Sequence, residues 1–177
     1  MGIALLTLAA FGTACLAASL FLGYVIPGHH SLRHHFILAL GTTFLLVMAH
    51  SFIMFFLIAT GVELKDMEKA AGWGDTFRRR TIALKSQVFP AMTLALVLVI
   101  ANFILGAAAH THAVPQRVHE GVAWLTLVVC VVALYREYQV LGANNRLIAE
   151  AASRREDTSV RSEGEVTETP SGKSLIR

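Results

Sequence analysis

Residues 34–60 read HHFILALGTTFLLVMAHSFIMFFLIAT. The run has no Asp, Glu, Lys or Arg, and it exceeds the roughly 20 apolar residues that carry a helix across the hydrocarbon of a bilayer. It predicts a transmembrane helix with a histidine pair at one end and His50 near its middle. An ionisable side chain at that depth costs a few kcal/mol unless it is neutral and has a hydrogen-bond partner or a ligand, so His50 asks for a role. The plainer alternative is a neutral imidazole bonded to Ser or Thr across a helix contact.

The rest of the chain repeats this pattern. Of its 177 residues 55% are hydrophobic and only 15% charged, and the charge is gathered in blocks between apolar runs rather than spread over helix faces. Residues 3–26 form an uncharged first span ending at Pro27-Gly28. They lack the basic start and the cleavage site of a secretory signal, so the run is expected to be a retained span. The second span covers 35–61. Residues 62–85 then form a charged hairpin, with a helical extension, a break at Gly72-Trp73-Gly74, a cap at Asp75 or Thr76 and a basic return through Arg78, Arg79 and Arg80. Trp73 is expected at headgroup level. The third span is 86–109, with Pro90 in its first turns, and the fourth is 118–137.

Glu137, Leu141, Asn144, Ile148 and Ala151 recur at helical spacing beyond that span, predicting a helix over 138–152 that packs on the hairpin. The polar members Glu137, Asn144 and Asn145 are expected on a solvated or subunit-contacting face. Residues 153–177, rich in Ser, Thr, Glu, Arg and Gly, read as a disordered tail. The fold class is therefore all-α: an integral membrane, antiparallel bundle of four transmembrane helices over residues 1–152 with helical extensions.

Lys65, Lys69, Arg78, Arg79, Arg80 and Lys85 lie on the hairpin side, against Arg33 and Arg117 on the other. By the positive-inside rule the hairpin and both termini are cytoplasmic, in a plasma or inner membrane. His29, His30, His34, His35, His110, His112 and His119 then share the outer face. Two cofactor chemistries suit them. Haem b needs two imidazoles at one depth from different helices, which His34 or His35 opposed to His110 or His119 would supply. A Cu or Zn ion would suit His30 and His34, spaced i and i+4, with His110 and His112 from the facing connector. Interfacial histidines that only end apolar helices are the bland alternative.

His50 lies roughly 22 Å below His35 at 1.5 Å per residue, in a layer with Gly12 and Thr13, Thr93, and Leu134 or Tyr135. It is expected to be a single axial ligand, a partner of Thr13 or Thr93, a contact for a quinone headgroup, or half of a site shared with another subunit. Met48, Met54, Cys15 and Cys130 read as packing residues, and no cysteine pair marks a disulfide or redox motif.

No nucleophile elbow, phosphate-binding glycine loop or HExxH is present, and nothing points to nucleic acid. The expectation is a small accessory or electron-transfer subunit, without catalysis of its own, that holds haem b or a quinone through His34, His35, His50, His110 or His119 and works with other membrane subunits or as a homo-oligomer. An outer-face metal-binding protein and a purely structural or assembly subunit are the alternatives.

Overall fold

The computed structural model describes the backbone of residues 2–25 and 29–167 and the side-chain surroundings of 2–24 and 33–159. The described residues form four helices: α1 (Gly2–Val25), α2 (His29–Ala71), α3 (Thr76–His110) and α4 (Gln116–Thr167). Each is long and apolar enough to cross a membrane, and together they make an antiparallel four-helix bundle. The chain is a multi-pass membrane protein. α1 packs on α2 and α4, and α3 packs on the same two, while α1 and α3 do not pack on each other. The α2–α4 contact is thus the short diagonal of the bundle, and whatever those two helices carry inward meets at its axis.

Large apolar side chains face outward along every span, among them Phe11, Phe44, Phe55, Val97 and Val128. The inward stripe mixes Leu, Ile and Met with small residues such as Ala9, Ala49, Ala95 and Ala133, and small residues let backbones approach closely in lipid. Leu16, Leu46, Ala95, Val99, Cys130 and Ala133 form one layer, Ala9, Ala49, Ile53, Leu57, Val88, Met92, Val140 and Leu141 the next, and Leu64, Phe77, Leu147 and Ala151 the last, under the hairpin. At Gly61 a Cβ would stand 2.6 Å from Thr81 Cγ2 and 2.5 Å from Lys85 Nζ. Only glycine allows α2 and α3 to meet there.

The spans and their charged extensions are single helices. α2 runs without a break from His29 to Ala71, and because α3 already begins at Thr76, Pro90, expected near the start of its span, falls well inside α3. The ring leaves the Ser86 carbonyl without its usual donor, and one residue along Arg136 Nη1 donates to the Gln87 carbonyl at 3.0 Å. The hairpin turn relies on Gly72 and Gly74, with φ of 67° and 80°. Asp75 stands at the N-cap of α3 but its side chain makes no cap bond. Glu68 does that work from α2: its two oxygens accept from the backbone N–H of Phe77 at 2.6 Å and Arg78 at 2.9 Å. Trp73, expected in the headgroups, packs on Phe77 with the Arg154 guanidinium 5.1 Å above its ring.

Two expectations are corrected. The segment from Ser153 does not leave the helix: α4 continues to Thr167; residues 153–159 are exposed, with Arg154, Arg155 and Glu156 the good helix formers among them, while 168–177 lie outside the described residues. Glu137 and Asn144 are not on an outer face. Both are buried, because the stripe that the spacing revealed turns inward onto α1, α2 and the hairpin; of that polar trio only Asn145 is exposed.

Candidate functional site

At the histidine end the bundle opens into a cavity of about 990 Å³ bounded by all four helices, at the upper end of the size range of small-molecule sites. Its walls are largely apolar, with Phe36 and Phe103 in contact across α2 and α3 at a centroid distance of 6.0 Å. Trp124 Nε1 donates to Tyr24 Oη at 3.3 Å and ties α4 to α1 beside it.

Two imidazoles reach into this space from opposite corners. His35, on α2, donates from Nδ1 to the Ser19 carbonyl of α1 at 3.0 Å. That bond fixes the tautomer and leaves the Nε2 lone pair for a ligand, which is how ligating histidines are held. His119, on α4, lies within electrostatic reach of His35 and beside the backbone of Asn102, and its buried Nδ1 has no partner. Both rings lie against glycine: a Cβ at Gly23 would be 3.5 Å from His35 Cε1, and one at Gly106 would be 3.1 Å from His119 Cε1. These glycines were not singled out in the sequence, where nothing ties a glycine to a histidine on the next helix.

Thr42 and Asn102 also line the cavity, and their Oγ1 and Oδ1 are buried without partners. Three helices thus each hold one unpaired polar atom packed within the cavity wall, and each such atom left unmet costs about 1–3 kcal/mol. The rim is polar, with Arg33, His110, His112, Gln116 and Glu120.

The other candidates separate from this pair. His110 and His112 stay exposed at the rim, and His34 is exposed and outside the lining. The side chains of His29 and His30 lie outside the described residues, and with His30 lies part of the expected metal set His30, His34, His110 and His112. Among the described residues no three His, Cys, Asp or Glu side chains come together to hold an ion. His112 has another task. It takes φ of 59° as the left-handed residue closing α3, with its N–H bonded to Ala109 O and that of Ala113 to Ala108 O, the Schellman arrangement.

His50 is elsewhere in the bundle. Its Nδ1 meets Glu137 Oε1 at 2.5 Å, with both side chains fully buried. The expected partners are otherwise engaged: Thr13 donates to the Ala9 carbonyl of its own helix at 2.9 Å, and Thr93 is exposed. Equating depth with residue count pointed at Leu134 or Tyr135, two or three residues short of the carboxylate that reaches the imidazole. Thr60 donates to Asn144 Oδ1 at 3.3 Å between the same two helices, nearer the hairpin.

The chain matches no family model, no curated protein and no solved structure at a significant level. Its chemistry must be read from its own residues. The site is an open-mouthed, largely apolar cavity with two imidazoles on different helices and a polar rim that includes the Arg33 guanidinium.

Proposed function

We propose that the protein is an electron-transfer or accessory membrane subunit that holds haem b in the cavity at the histidine end, with His35 and His119 as axial ligands. The observation that supports this reading is the presence of both imidazoles in one apolar cavity, with His35 held by the Ser19 carbonyl so that Nε2 is left to a ligand. Bis-histidine ligation draws its two ligands from different helices of a bundle, here α2 and α4. Phe36, Phe103 and Val99 would cover the ring faces, and Arg33 at the rim is the cation available to the propionate carboxylates. When bound, the haem would supply one-electron chemistry; the protein supplies ligation, an apolar surround and exclusion of water. With the basic hairpin in the cytoplasm, the cavity opens at the outer face of a plasma or inner membrane, where a redox partner subunit would reach it.

The test is a dithionite-reduced minus air-oxidised visible spectrum of the detergent-purified protein, expressed with haem supplied. A sharp b-type α band is expected. It should be lost in His35→Ala and in His119→Ala and kept in His34→Ala, all three variants eluting as the same monodisperse species. A colourless protein, a band that survives both changes, or a retained quinone without haem would overturn the reading.

A further inference from the structure

The His50–Glu137 pair is not needed to bind anything in the outer cavity, yet it is the most deeply buried ionisable pair among the described residues. The contact between Nδ1 and Oε1 uses one proton. With that proton alone the pair carries one negative charge; net neutrality needs a second, and the atoms left to take it are His50 Nε2 and Glu137 Oε2. Both are buried and neither has a hydrogen-bond partner. A neutral pair keeps its second proton on one of these two atoms, and the other remains buried with no partner.

Few other charges face this point. From α1 the nearest ionisable side chain is the half-buried Cys15. The residues that α3 turns into these layers, Val88, Met92, Ala95 and Val99 with Leu84, Phe89 and Ala91 at their edges, are all apolar. On α4, Cys130 is buried near Glu137, and Arg136 is exposed with Nη1 on the Gln87 carbonyl. The net charge of the pair is therefore set by its own proton count.

We propose that His50 and Glu137 form a membrane-embedded proton-binding site whose occupancy follows the charge of the cavity's occupant. This rests in its second half on the haem reading above. Were haem bound there, its reduction by an external one-electron donor would add one negative charge at the histidine end. The pair would then bind a proton from water more tightly, its second proton, which takes it from one negative charge to neutral at His50 Nε2 or Glu137 Oε2. At an axial separation of roughly 22 Å and an effective dielectric constant of about 20, one charge changes the other site's proton affinity on the order of threefold. Less than one proton per electron is thus taken up.

Two measurements decide it. Infrared difference spectra across a pH titration of the whole protein in nanodiscs need no haem. A carboxyl C=O band that titrates, vanishes in Glu137→Gln, shifts in His50→Gln and persists in the exposed Glu63→Gln is the expected result. A spectrum without any band dependent on Glu137 would overturn the proton site itself. Redox titration as a function of pH then tests the coupling: the midpoint potential should fall with rising pH in the wild type, and the slope should be smaller in Glu137→Gln with the α band unchanged, the rim groups His110, His112 and Glu120 supplying what remains. A haem whose potential ignores pH, or whose pH slope is undiminished in Glu137→Gln, would overturn the coupling. Absence of any haem would instead overturn the reading of the cavity, leaving the infrared result to judge the site.

Discussion

Glu137 shows what a single residue can conceal. Its place on the α4 stripe was legible from spacing, and the tolerable assumption for a carboxylate just past an apolar run is that it meets water or a partner. It meets His50 because the stripe faces inward and because a glutamate side chain reaches across the two or three residues by which a depth count falls short. Breaking one side of such a pair strands the other without compensation. Glu137→Ala is expected to destabilise the bundle by about 3–5 kcal/mol, while His50→Leu combined with Glu137→Met loses less than that single change, measured by reversible unfolding in mixed detergents. His35 and His119 were among the named candidates, but which of the outer histidines converge depends on the rotation of each helix about its axis. One tight point of that fit is Gly106, where a Cβ would stand 3.1 Å from His119 Cε1, a closeness that appears only when the neighbouring helix is in place.

At the level of single elements, the helices, their order and the hairpin were readable from apolar runs and turn residues. Their ends were not. The expected cap at Asp75 is present by position, but the bonds come from Glu68 on the preceding helix, a contact closed across the turn that no local motif signals. A carboxylate at a helix N-terminus also meets the favourable end of the macrodipole. Glu68→Ala should cost about 1–2 kcal/mol and show as faster amide exchange confined to the start of α3. At the other end of α3, a non-glycine residue in the left-handed region pays in strain. His112→Gly is expected to raise stability by roughly 0.5–1 kcal/mol, seen as a higher thermal midpoint. It should leave any cofactor spectrum as it was, because His112 closes the helix.

For the molecule as a whole, the membrane environment follows from composition, and four spans in antiparallel order follow from the alternation of apolar runs with short connectors. Packing density along the bundle is another matter, and it is concentrated where glycine lets backbones approach. Gly61→Val drives methyl groups into Thr81, a stiff β-branched side chain, and should cost about 1–3 kcal/mol by overpacking. Gly41→Val, on an open face with no atom within 4 Å of its Cβ, should leave the same unfolding transition unchanged. The unbroken course of α2 adds one more property. If the apolar span ends at Gly61, as its charge pattern leads one to expect, the ten residues past it lift the Gly72–Gly74 tip roughly 15 Å beyond the hydrocarbon, which is farther than the headgroup layer extends. The tip therefore has clearance: an antibody fragment raised against it would grip a rigid handle standing free of the detergent belt, with its orientation locked to the same rod that carries His35.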